Sequence, residues 1–89
     1  MKQVYLFIQG DVIGVGFRAW TKIQAKNLGV TGWVKNVGDH VEVVIQGDEP
    51  AINQMIKLVK QGPPVSRVDK VKIIKEEIGE VFNVFEIRI

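Results

Sequence analysis

Residues Val30–Gly47, VTGWVKNVGDHVEVVIQG, contain two runs of strand-forming residues separated by Gly38-Asp39. In the second run Val41, Val43 and Ile45 alternate with Glu42, Val44 and Gln46, and Gly followed by Asp suits a tight turn. These residues therefore predict a hairpin of strands Val30–Val37 and His40–Gly47. A hairpin cannot bury an apolar face by itself, so the flanking segments decide the fold. Upstream, Lys2–Gln9 reads as a strand, with Val4, Leu6 and Ile8 on one face and Tyr5 and Phe7 on the other. Gly10–Gly16, broken by three glycines, reads as a loop. Phe17, Thr21, Ala25 and Leu28 then recur at helical spacing, predicting a helix over Phe17–Leu28 that Gly29 stops. Downstream, Asp48 can cap a second helix with Pro50 in its first turn. Ile52, Met55, Ile56 and Val59 form its apolar stripe, and Gly62-Pro63-Pro64 ends it. Val68–Lys75 reads as a strand and Glu76–Glu80 as a polar connection. Phe82–Ile89, with Phe85, Ile87 and Ile89 alternating, is the last strand.

The order is β-α-β-β-α-β plus a terminal strand. It specifies an α+β fold, the ferredoxin-like split βαβ sandwich, with two helices on one face of an antiparallel sheet. Each βαβ unit makes its outer strands parallel, with another strand between them. The first and second strands thus end on the same rim, which brings the Gly10–Gly16 loop near Asn36. Two strand spacings separate them, roughly 10 Å at ~4.8 Å each. That gap suits a phosphate and a water molecule.

With 89 residues the chain is read as one domain, 1–89. Its 46% hydrophobic and 25% charged residues are the balance of a folded chain, not a disordered one. Twelve basic and ten acidic residues leave a formal net charge of +2. That surplus does not argue for nucleic acid but suits a small anionic ligand. The absence of Cys excludes disulfides, thiolate chemistry and Cys-based zinc sites, and the single His does not suit a His-rich metal site. The apolar run Val4–Ile8 is too short for a membrane span or a signal-peptide core. The expectation is a cytoplasmic monomer without a membrane or nucleic-acid partner.

Gly10-Asp11-Val12-Ile13-Gly14-Val15-Gly16-Phe17-Arg18 carries the most chemical information. Gly14 and Gly16 permit positive φ, which turns successive N–H groups inward. The loop runs into a helix start, where amides lack partners and the dipole favours an anion. Arg18 adds a planar cationic fork that fits phosphate oxygens. Local physics alone leaves two readings: an anion cradle, or a glycine turn beside an exposed arginine. The phosphate loop of nucleotide triphosphatases requires Gly-Lys-Ser/Thr and is absent. Gly14-x-Gly16-x-x-Ala19 matches the dinucleotide fingerprint, but the Asp about twenty residues on, Asp39, falls in a hairpin turn and the chain is too short for two nucleotide-binding halves.

Two stretches together resemble the signatures of the acylphosphatase family. Gly10-x-Val12-x-Gly14-Val15-Gly16-Phe17-Arg18 is similar to the first, and Gly32-Trp33-Val34-Lys35-Asn36 with Val41 and Gly47 to the second. Gly62-Pro63-Pro64-x-x-Arg67-Val68 resembles the family's segment after the second helix. Two features depart from the pattern: Ile13 stands where the family usually has Gln, and the hairpin after Asn36 is one residue shorter than usual. The resemblance implies hydrolysis of a small acyl phosphate to carboxylate and inorganic phosphate, without metal or cofactor. It assigns phosphate binding to Arg18 and to the amides of Ile13, Gly14, Val15, Gly16, Phe17 and Arg18, and water orientation to Asn36. The carboxylate leaving group has a conjugate-acid pKa of ~4–5, so it departs without a general acid. Positioning and charge stabilisation then suffice, and no catalytic His, Cys or carboxylate is required.

The alternative is a catalytically weak relative that binds phosphate or modulates a partner. RNA recognition is disfavoured because Val41–Gln46 contains no aromatic residue. His40 near the hairpin tip and Asp11 receive no role. Trp20 and Trp33 are expected to pack or line the site's rim. Lys70, Lys72 and Lys75 read as the solvated face of a strand, and Met55 as helix core.

Overall fold

The computed structural model describes residues 1–75 and 79–89. Glu76, Glu77 and Ile78, which hold most of the expected polar connection, lie outside the described residues, as does the Lys75 side chain. The elements follow in the order β1 (Lys2–Asp11), α1 (Phe17–Leu28), β2 (Thr31–Val37), β3 (His40–Gly47), α2 (Glu49–Gln61), β4 (Arg67–Lys75) and β5 (Phe85–Arg88). They build one sheet of order β4-β1-β3-β2-β5. Val4, Leu6 and Ile8 of β1 face the helices and pair with Ile45, Val43 and Val41 of β3. Phe17 and Ala25 of α1 and Ile52, Met55 and Val59 of α2 close the core over them. Thr21, buried in the α1 stripe, is satisfied within the helix, its hydroxyl donating to the Phe17 carbonyl at 2.7 Å.

Two expectations are corrected. The sheet is mixed, because β5 pairs in parallel with β2, from Gly32↔Phe85 to Lys35↔Arg88. Topology supplies the reason. β4 is antiparallel to β1 and ends at Lys75 opposite Tyr5, on the side of the sheet where β2 begins. A strand that starts from that side on the opposite edge must run with β2. The second correction concerns Asp48. It stands at the N-cap of α2 in extended conformation, but its side chain makes no capping hydrogen bond. Pro50 occupies the first turn as expected and needs no N–H partner there.

Gln46 holds the return to β5. Its side chain is buried, donates from Nε2 to Gln3 Oε1 at 2.6 Å and to the Glu80 carbonyl, and accepts the Phe82 N–H at 2.9 Å. The helix-free face of the sheet carries a second polar cluster. Tyr5 donates to Glu42 Oε1, while His40 Nε2 lies 2.8 Å from Glu42 Oε2. The His40 ring stacks on Phe7 with centroids 3.8 Å apart. Burial raises the Tyr5 phenol to about 12, helped by the Glu42 hydrogen bond and charge. Burial alone would also raise Glu42. Hydrogen bonds from Tyr5 and His40, with the charges of His40 and Lys35, outweigh it and hold the carboxyl below its ordinary value.

Tyr5 is the single tyrosine of the chain, so this environment is directly measurable. A raised folded-state value favours the neutral phenol. Its contribution to stability is therefore full below the ordinary phenol value of ~10 and lost as pH rises through about 12. A near-ultraviolet titration of the folded protein should give a phenolate midpoint well above that of the denatured chain. Tyr5→Phe should show a shallower alkaline fall in denaturation midpoint than the wild type.

Candidate active site

β1 and β2 flank β3 and run parallel, so the loop after β1 and the end of β2 share one rim. β1 extends two residues beyond the expected strand, leaving Val12–Gly16 as the loop proper. Gly14 and Gly16 both adopt φ of 75°, a left-handed conformation that side chains rarely take. A Cβ built on either would meet no atom within 4 Å, so backbone conformation and not crowding selects glycine here. Gly16 is the N-cap of α1, and its carbonyl accepts the Trp20 N–H at 3.0 Å. No side chain caps α1 and no acidic residue lies in its first turn. The amides of Phe17, Arg18 and Ala19 precede the first intrahelical donor and lack partners within the helix. Phe17 anchors this end, 2% exposed and packed against Trp20 with centroids 5.6 Å apart.

A cleft of about 420 Å³ opens over these amides. Of the sequence-derived residues, Gly14, Gly16, Phe17, Arg18 and Asn36 line it. Arg18 is half-buried and, among the described residues, has no carboxylate within ion-pair distance. Asn36 lies on the same face of β2 as core residue Val34, opposite Val41. Its side-chain Oδ1 is buried and makes no hydrogen bond among the described residues. Leaving a buried acceptor unpaired costs about 1–3 kcal/mol. Ile13 and Val15 are absent from the cleft lining. The Ile13 side chain is 37% exposed, while Val15 packs partly against the core. The substitution of Ile13 for the Gln usual in the family therefore falls outside the lining of this cleft. The hairpin turn is Gly38-Asp39, closed by Val37 opposite His40, and β2 remains paired through Asn36.

Val12, Ala19, Ile87 and Ile89 also line the cleft. Ile87 and Ile89 were assigned to the last strand but not to the site. The signal was the alternation of Phe85, Ile87 and Ile89, and what it lacked was the neighbour of that strand. Trp33 is buried on the other face of the sheet, edge-on to Tyr5 at 5.6 Å, and is not part of the cleft. Trp20 packs against Phe17.

A family model described as Acylphosphatase matches residues 4–87. An acylphosphatase of Caldivirga maquilingensis is 42% identical over 88 residues, covering 97% of this chain and 93% of the relative. One of Acaryochloris marina is 43% identical over 81 residues, covering 90% and 86%. Among solved structures, the crystal structure of acylphosphatase from Bacillus subtilis superposes with a TM-score of 0.95 at 34% identity, covering all of both chains. A rim that joins a helix-start cradle, a guanidinium and an asparagine is thus accompanied by family-wide similarity: the chain belongs to the acylphosphatase family, hydrolases that split acyl phosphates into carboxylate and phosphate.

Proposed function

We propose that the cleft between α1 and the end of β2 is where the acyl phosphate is hydrolysed, with Arg18 and the loop amides binding phosphate and Asn36 directing water. The reading rests chiefly on one observation: Gly14, Gly16, Arg18 and Asn36 line a single cleft, and the Asn36 Oδ1 has no partner among the described residues. The dianionic phosphoryl group meets the guanidinium and the amides from Ile13 to Arg18, whose fixed dipoles need no reorganisation as charge shifts. Water donates a hydrogen bond to Asn36 Oδ1, which leaves a lone pair directed at phosphorus. Asparagine is too weak a base to take the proton, so the proton passes to a phosphoryl oxygen. The P–O bond to the carboxylate breaks, and the carboxylate leaves as a stable anion.

The same reading takes residues 1–89 as one catalytic domain, acting as a cytoplasmic monomer without nucleic acid. The small net charge supports the last point, as does the engagement of the outer-face rings: Phe7 lies under His40 and Trp33 is buried. Acyl phosphate cleavage should continue in the presence of chelator, because no step calls for a metal.

Phosphate release from acetyl phosphate, measured with chelator present, tests the assignments. Arg18→Gln should lower turnover by about 100-fold or more and weaken inhibition by inorganic phosphate in parallel. Asn36→Ala should lose about 100-fold in turnover while phosphate inhibition stays within twofold. An Asn36→Ala rate within twofold of wild type would remove its assigned role. Gly16→Ala should reduce unfolding free energy by about 1–3 kcal/mol, read by denaturant titration, because alanine is strained at this backbone conformation.

A further inference from the structure

The cleft lining combines Arg18, the glycine loop and Asn36 with apolar residues, of which Ile87 and Ile89 come from the C-terminal edge of the sheet. Parallel pairing places Ile87 opposite Val34, two residues before Asn36 on the same face of β2. Phe85 on this face is buried in the core, so the alternation continues from core to cleft through Ile87 and Ile89. The intervening Arg88 faces the other way, its guanidinium 5.1 Å from the Trp33 ring centroid and 5.7 Å from that of Phe82. Among the described residues, Arg18 is the one charged side chain in the cleft lining.

We infer that Ile87 and Ile89 determine substrate specificity, receiving the hydrocarbon attached to the carbonyl carbon and selecting acyl phosphates whose acyl group is apolar. The inference rests on the phosphate placement proposed above. With phosphate in the cradle, the acyl group extends toward the β5 edge of the cleft, which Ile87 and Ile89 line. An aryl or branched-alkyl substituent there loses water against two branched side chains. A second carboxylate in the same place would lose hydration without gaining a partner. The contact is made equally in ground and transition states, so its effect belongs in KM and not in kcat.

The test compares benzoyl phosphate, 4-carboxybenzoyl phosphate and acetyl phosphate, each corrected for its spontaneous hydrolysis. The wild type should prefer benzoyl over 4-carboxybenzoyl phosphate by about tenfold in kcat/KM. Ile87→Ser should lower the benzoyl-to-acetyl selectivity ratio at least fivefold, through KM. Ile89→Lys should shrink or reverse the preference over the carboxylated acyl phosphate. Ile89 is fully exposed, so this variant tests the inference even if Ile87→Ser folds poorly. Selectivity ratios unchanged in both variants, while phosphate inhibition remains at the wild-type level, overturn this inference alone. Arg18→Gln, measured alongside, separates the two readings: undiminished phosphate inhibition in that variant overturns the phosphate placement, and this inference with it.

Discussion

Three strand ends on one rim are the constraint from which the site follows. β1, β2 and β5 all run the same way, two of them because β3 is inserted between them and the third because β5 pairs in parallel with β2. The first strand supplies the loop into α1, the second supplies Asn36, and the third supplies Ile87 with Ile89 just beyond its end. Their juxtaposition needs no long-range contact between the side chains themselves, because the ladder of the sheet sets their spacing. This is economical in a chain of 89 residues, where the core is modest and few groups can be spared for support.

Much of this was legible in the sequence, and the reasons differ by element. Both helices were legible because their apolar positions recur at helical spacing and because Gly29 ends α1, its amide donating back to Lys26 while Val30 bonds Ala25. The bounds of β3 were legible from a run of strand formers, with Val41, Val43 and Ile45 on one face, beside a two-residue turn. The direction of β5 was not. Periodicity tells which face a strand buries but not which neighbour it joins, and residues 76–80 carry no turn dipeptide that would fix the return path. Gln46 was equally hidden, since a glutamine in an alternating strand reads as solvent-facing until Gln3, Glu80 and Phe82 are found around it. Asp48 errs the other way: the residue type suits a cap, and its side chain is not used as one.

For the site, the two glycine-containing stretches were enough to bring Arg18 and Asn36 to one rim, because the fold order alone makes their strands parallel. The contribution of Ile87 and Ile89 to the cleft was beyond reach for the reason the direction of β5 was. Ile13 shows a further limit. A residue in a signature stretch reads as part of the site, yet its side chain is outside the cleft lining and only its backbone remains available to it.

The rim leaves polar groups without partners. α1 begins without a side-chain cap, and a buried carboxamide oxygen lacks a partner among the described residues. Such features persist only when their surroundings fix them. On the helix side, Phe17, the first residue of α1, and Val34, two residues before Asn36, are both buried in the core. On the opposite face the strand neighbours of Asn36 are held separately: Lys35 pairs with Glu42, and Val37 with His40. His40 and Tyr5 in turn bond Glu42, whose carboxyl is kept charged by those bonds against its burial. The end of β2 is thus held from the outer face, while on the cleft face the Asn36 Oδ1 has no partner among the described residues.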